Sequence, residues 1–109
     1  MTVDARIKAA LDVFGDPVEN ALYSGEADRY YVFNYTTTGA LYADDDPSAE
    51  TYFIQVHLFA PLDENIAERI KQTKKLLNNA GFTWPRTTNA SDEESRHIVF
   101  ECEYVEGVD

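Results

Sequence analysis

The chain has 109 residues, 44% hydrophobic and 13% aromatic, enough to bury a core and too apolar for a disordered tail. Nine Lys and Arg against 20 Asp and Glu give a net charge of −11, which repels phosphate backbones and anionic membranes and argues against specific nucleic-acid binding. Cysteine occurs once, at Cys102, so no internal disulfide forms.

Val3, Ile7, Ala10, Leu11 and Phe14 recur at helical spacing. Thr2 is placed to cap this helix and Gly15-Asp16-Pro17 to stop it. The segment lacks the basic start and continuous apolar stretch of a signal peptide, and no apolar run reaches the roughly 18 residues of a membrane span. Synthesis and folding in the cytoplasm, away from membranes, are the expectation.

Residues 20–25 read as a short extended or turn segment. Residues 29–38, RYYVFNYTTT, are a strand by their β-branched and aromatic content. Both of its faces are apolar around Tyr31–Tyr35, so the pattern does not choose the inward one. Residues 39–48, GALYADDDPS, form an acidic connection.

Thr51 to Ala60 carries the clearest alternation. Tyr52, Ile54, Val56 and Leu58 form a core face; Phe53, Gln55, His57 and Phe59 point the other way. Phe53 and Phe59 therefore need cover from a loop, a helix or another subunit. A long helix follows, from an N-cap at Asp63 to about Asn79. Ile66, Ile70, Thr73, Leu77 and Ala80 form its buried stripe, and Gly81 closes it. Arg69, Lys71, Lys74 and Lys75 are expected on its solvated face.

Residues 82–85 are predicted as a short strand, 87–95 as a polar loop, and 96–105 as the last strand. In that strand Ile98, Phe100, Cys102 and Tyr104 face inward and Glu101 and Glu103 face water. The tail 106–109 is expected to fray. Without repeats or linkers, residues 1–109 read as a single α+β domain. Its sheet is expected to be mostly antiparallel, of about four strands, with two helices packed on one face.

No residue set points to catalysis, a cofactor or a metal. Asp44, Asp45 and Asp46, with Glu50 nearby, lack the alternation and turn glycine of a calcium loop; Asp92, Glu93 and Glu94 read the same way. His57 and His97 both lie on outward strand faces, two ligands without a third. Cys102 and His97 project from opposite faces of one strand, and Cys102 sits among apolar neighbours where a thiolate is disfavoured. No nucleophile elbow or glycine-rich phosphate loop is present. The aromatic surplus is more informative. Seven tyrosines, six phenylalanines and one tryptophan exceed what one small core hides. Tyr30, Tyr42, Phe53 and Phe59, together with His57, are the candidate subunit interface.

Taken in order, the short helix IKAALDVFG, the strand YVFNY, the acidic loop ADDDPSAE, the long strand TYFIQVHLFAP and the helix IKQTKKLLNNAGF resemble the tail-terminator or tail-completion proteins of long-tailed bacteriophages and prophages. RHIVFECEY completes the match, which runs through most of the chain as element order and texture rather than an invariant motif. The resemblance implies a structural, non-enzymatic virion protein. Such proteins form a ring, commonly hexameric, that caps the tail tube and joins it to the head connector after assembly in the host cytoplasm. The alternatives are a neck or head–tail connector protein, or a small acidic protein-binding inhibitor. Carboxylates gathered in loops, at 44–46 and 92–94, argue against the last.

Overall fold

The computed structural model describes residues 1–39 and 49–107. Helix α1 (Val3–Leu11) starts where the Thr2 hydroxyl accepts a hydrogen bond from the Ala5 N–H, 3.1 Å, and carries Asp4 in its first turn. A single 3₁₀ turn (Asp12–Phe14) follows and ends at Gly15, whose φ of 76° is the left-handed conformation that glycine adopts without cost.

Strands β1 (Val18–Asn20), β2 (Tyr30–Gly39), β3 (Ala49–Ala60), β4 (Arg86–Asn89) and β5 (Arg96–Gly107) form one sheet in the order β1-β2-β3-β5-β4. β2, β3, β5 and β4 pair antiparallel, whereas β1 runs parallel to β2. Among the described residues the sheet is thus five-stranded and mixed, one strand more than the expected four. The additional strand is β1, three residues long. Its position is fixed by tertiary hydrogen bonds: Tyr31 donates to the Pro17 carbonyl and Ala21 to the Phe33 carbonyl, both 2.8 Å.

The register settles which side of β2 is buried. Tyr31, Phe33 and Tyr35 stand opposite Leu58, Val56 and Ile54, and these stand opposite Ile98, Phe100 and Cys102. Helices α1 and α2 (Ala67–Asn79) both cover this face. Their residues Val3, Ile7, Leu11 and Leu77, with Ile66 just ahead of α2, join the sheet residues in one core. Helix α2 begins later than Asp63: Ile66 occupies the cap position and the Asn65 side chain accepts from the Ala67 N–H at 3.0 Å. Beyond α2, Gly81 takes a φ of 106°. Phe82 and Pro85 then fold inward and are buried. Residues 82–85 are therefore a core-filling connection, and the strand expected there forms at Arg86–Asn89 instead.

Three polar contacts clamp the helices to the sheet. The buried Tyr31 hydroxyl pairs with the Thr73 hydroxyl, 2.8 Å, while Thr73 donates to the Arg69 carbonyl, 2.7 Å. The Tyr35 hydroxyl donates to Asp4, which also accepts from the Asn20 amide at 2.9 Å. Arg6 donates to the Ala80 carbonyl at 3.0 Å and lies over the Tyr104 ring. Arg69 is not a solvated helix cation. Its guanidinium sits 4.0 Å from the Phe14 ring centre and 2.8 Å from Asp16, and Asp16 in turn meets Arg29 at 3.1 Å. Helical charge spacing alone does not reveal such a partner, because Asp16 is brought there by the turn after α1.

Candidate functional site

The helices leave the second face of the sheet bare among the described residues. Alternation puts Tyr30, Val32, Asn34 and Thr36 of β2 on it, with Phe53, Gln55, His57 and Phe59 of β3. His97, Val99, Glu101 and Glu103 of β5 join them. Four of the expected interface residues, Tyr30, Phe53, His57 and Phe59, thus share one surface. Tyr42 lies outside the described residues.

At one end the rings form a continuous stack across three strands. Tyr23 packs on Tyr30 with centroids 4.5 Å apart, Tyr30 on Phe59 at 4.9 Å, and Phe59 on His97 at 4.2 Å. Offset aromatic pairs of this kind add roughly 0.5–1.5 kcal/mol beyond area burial. Tyr23 and His97 were not among the expected interface residues. The period-two pattern placed His97 outward, but only the β3–β5 register, Phe59 opposite His97, brings it into the stack.

His57 and His97 are also joined directly, His57 Nδ1 to His97 Nε2 at 2.8 Å. The Asn34 amide lies 3.3 Å from His57 Nε2. An amide nitrogen only donates, so His57 Nε2 accepts, and His57 Nδ1–H then donates to His97 Nε2. The chain of bonds is satisfied with both imidazoles neutral. Burial pushes both below the ordinary histidine value; charge on His97 adds to the effect at His57, and Asp92 opposes it at His97. The histidine pair is therefore neutral at neutral pH, with the Asp92 carboxylate near enough to act on His97.

The other end is an open hollow of about 600 Å³ with Phe53, Trp84 and Arg86 on its walls. Phe53 is 42% exposed and Trp84 54%. Gln55 donates to Glu101 across its floor at 3.2 Å. Trp84 follows from the same misplaced segment as Pro85, so sequence pattern gave no reason to set it on this face.

The arrangement is a wide, mixed surface on which aromatic rings and a hydrogen-bonded histidine pair stand beside amide and carboxylate side chains. Cys102 lies on the buried side, its thiol pushed up to about 12 by burial and secondarily by Glu103, and is inert as a nucleophile. Among the described residues, no three His, Cys, Asp or Glu side chains gather as a metal site.

No protein-family model matches the chain, and no curated protein matches it. Among solved structures, one whose name carries no functional description superposes with a TM-score of 0.63 at 11% identity. The match covers 98% of this chain and 88% of that one. At that identity the likeness is one of fold alone: α+β, with a sheet and two helices.

Proposed function

We propose that this chain is a ring-forming structural subunit of a phage or prophage tail, a tail terminator or tail-completion protein that caps the tube and meets the head connector. The observation that carries the reading is the bare sheet face. Phe53, Phe59, Tyr30 and His57 share one surface that no helix covers, where stacking half-buries Tyr30, His57 and Phe59 and a lone chain leaves Phe53 42% exposed. Exposed aromatic patches of this kind mark interaction sites. A closed ring needs two different complementary patches on each subunit, and the strongly acidic remainder of the chain suits a conduit that repels passing DNA.

The test is assembly. Negative-stain microscopy of the concentrated protein, alone and with purified tail tubes, is expected to show rings or capped tube ends. Phe53→Asp and Phe59→Asp are expected to abolish them. A chain that stays monomeric and leaves tube ends bare under all these conditions overturns the reading.

The second reading, a neck protein on the connector side, shares the same bare face. It is separated by which particle the labelled protein decorates, connector or tube.

A further inference from the structure

The sheet narrows along its length, and the narrowing exposes backbone. Strand β1 pairs with β2 only through Phe33, and β4 pairs with β5 only through Glu101. Past these points three strands, β2, β3 and β5, continue as an arm of the molecule, whose longest dimension is 51 Å. The alternation of backbone groups along the arm follows from bonds already described. Tyr31 N–H and Phe33 C=O point to β1, so Tyr35 and Thr37 direct their N–H and C=O groups to the same outer side. Thr83 donates to the Glu103 carbonyl at 2.9 Å and its hydroxyl accepts from the Glu103 N–H at 2.9 Å. Val105, two residues on, directs its backbone groups outward beyond this cover. Among the described residues no strand meets Tyr35 and Thr37 on one edge or Val105 on the other.

Protected edges carry lysine, proline or an inward charge. The β2 edge carries none, its residues 34–37 reading Asn-Tyr-Thr-Thr. The β5 edge is flanked by Glu103 and Glu106. Two β5 edges brought together would set carboxylates against carboxylates, a destabilising arrangement. On the β2 edge the strand itself supplies only uncharged threonine, tyrosine and asparagine, and the nearby Asp4 carboxylate is already held by Tyr35 and Asn20. Pairing two β2 edges would satisfy them but leave both β5 edges open. Only the unlike pair satisfies both.

We infer that the arm joins copies of this chain edge to edge, the Tyr35–Thr37 edge of one docking on the Val105 edge of the next. This rests on the ring reading above and names its subunit contact. Within one chain β2 and β5 are parallel, both being antiparallel to β3, so the joint between copies related by rotation about an axis along the strands is also parallel. Unlike edges make a heterologous contact, which closes into a ring when the rotation per copy allows.

Cross-linking tests the joint directly. Thr36 and Val105 both point to the bare side and are exposed. Thr36→Cys and Val105→Cys chains are mixed and treated with a short bis-maleimide, the wild type with its buried Cys102 serving as the unreactive control. The mixture is expected to give a linked pair containing one chain of each kind, and the double variant a ladder. Self-linking of the Thr36→Cys chain alone, to the same extent as the mixture, overturns the inference in favour of a two-fold contact. The second measurement is Thr37→Pro, which removes an outward N–H that no strand among the described residues uses. Its melting temperature is expected to match the wild type while association weakens about tenfold or more per joint. If Thr37→Pro rings form as the wild type's do, the edge contact falls and the ring reading stands. If the wild type itself never assembles, both fall.

Discussion

His57 Nδ1 and His97 Nε2 lie 2.8 Å apart across the β3–β5 pair, with Asn34 donating into the far side of His57. One proton occupies that 2.8 Å gap, so charging either ring adds a proton where an acceptor is needed or places a cation beside its neighbour. Burial above all holds both imidazoles below the ordinary value of 6.5, and at His57 the neighbouring His97 adds to it. The unfolded chain takes up these protons first, so the stability linked to the pair is fully present above about pH 6.5 and declines as the pH falls below it. Thermal melts are expected to show that decline. In His57→Gln/His97→Gln it is expected to be absent until carboxylates begin to titrate. NMR titration of the imidazole carbons checks the folded-state values directly, and two ordinary midpoints near 6.5 would contradict the geometry.

Asp4 and Tyr35 form a second coupled pair, which responds at both ends of the pH scale. The Tyr35 hydroxyl, then the Asn20 amide, hold the Asp4 carboxyl below its usual 3.8. The same bond, then burial, push the Tyr35 hydroxyl up to about 12. The Asp4 contribution is present above the unfolded carboxyl value and lost as the pH falls through the folded one. The Tyr35 contribution is present below about 10 and lost as the pH rises toward 12. Tyr35→Phe is expected to cost about 1 kcal/mol at neutral pH, the pair being only partly buried. A double-mutant cycle with Asp4→Asn measures the coupling, and additive effects would show that the bond contributes nothing.

How far the sequence reveals these features depends on whether local pattern or distant contact decides them. Strands β3 and β5 alternate strictly, so the inward set from Ile54 to Leu58 and the outward His57 and Phe59 are visible from period two alone. Strand β2 is apolar on both sides, and its facing is decided by Leu58, Val56 and Ile54 across the ladder. Strand β1 has three residues and exists because β2 offers partners at both its ends, the Tyr31 N–H to the Pro17 carbonyl and the Phe33 carbonyl to the Ala21 N–H. Phe82 suggested a strand by its aromatic character, but the turn at Gly81 sends it into the core. The outward residues of β3 were legible because alternation exposes them, whereas Tyr30 on β2 was placed only by the ladder. Their completion by Tyr23, His97 and Trp84 required the register and the turn.

Thr73 is fully buried in the core, and its hydroxyl bridges the Tyr31 hydroxyl and the Arg69 carbonyl. Burial pushes the Tyr31 hydroxyl up, so it stays protonated and must find a partner. Thr73→Val keeps the shape and removes the bridge, leaving the phenol unpaired in an apolar setting. Equilibrium urea unfolding is expected to show a loss of about 1–3 kcal/mol. Tyr31→Phe in the Thr73→Val background removes the orphaned hydroxyl and is expected to restore part of that loss, since replacing both partners by apolar groups leaves nothing unsatisfied. Failure of this second change to recover stability would mean that packing, not the hydroxyl pair, sets the requirement.

Phe53 and Phe59 share the bare face but differ in what they touch, and this separates an interaction role from a folding role. Phe59 is packed against Tyr30, His97 and His57, so Phe59→Asp breaks three ring contacts and sets a carboxylate beside the histidine pair. It is expected to lower stability by about 1–3 kcal/mol and, by its charge, to raise the titration midpoints of His57 and His97. Phe53 is 42% exposed at the edge of the hollow. Phe53→Asp is expected to change the stability of a single chain by no more than about 0.5 kcal/mol. If the face serves other subunits, the Phe53 variant nevertheless loses assembly as completely as the Phe59 variant does. Parallel urea melts and sedimentation of both variants check the pair, and a Phe53→Asp chain that assembles normally would show that the hollow lies outside any contact.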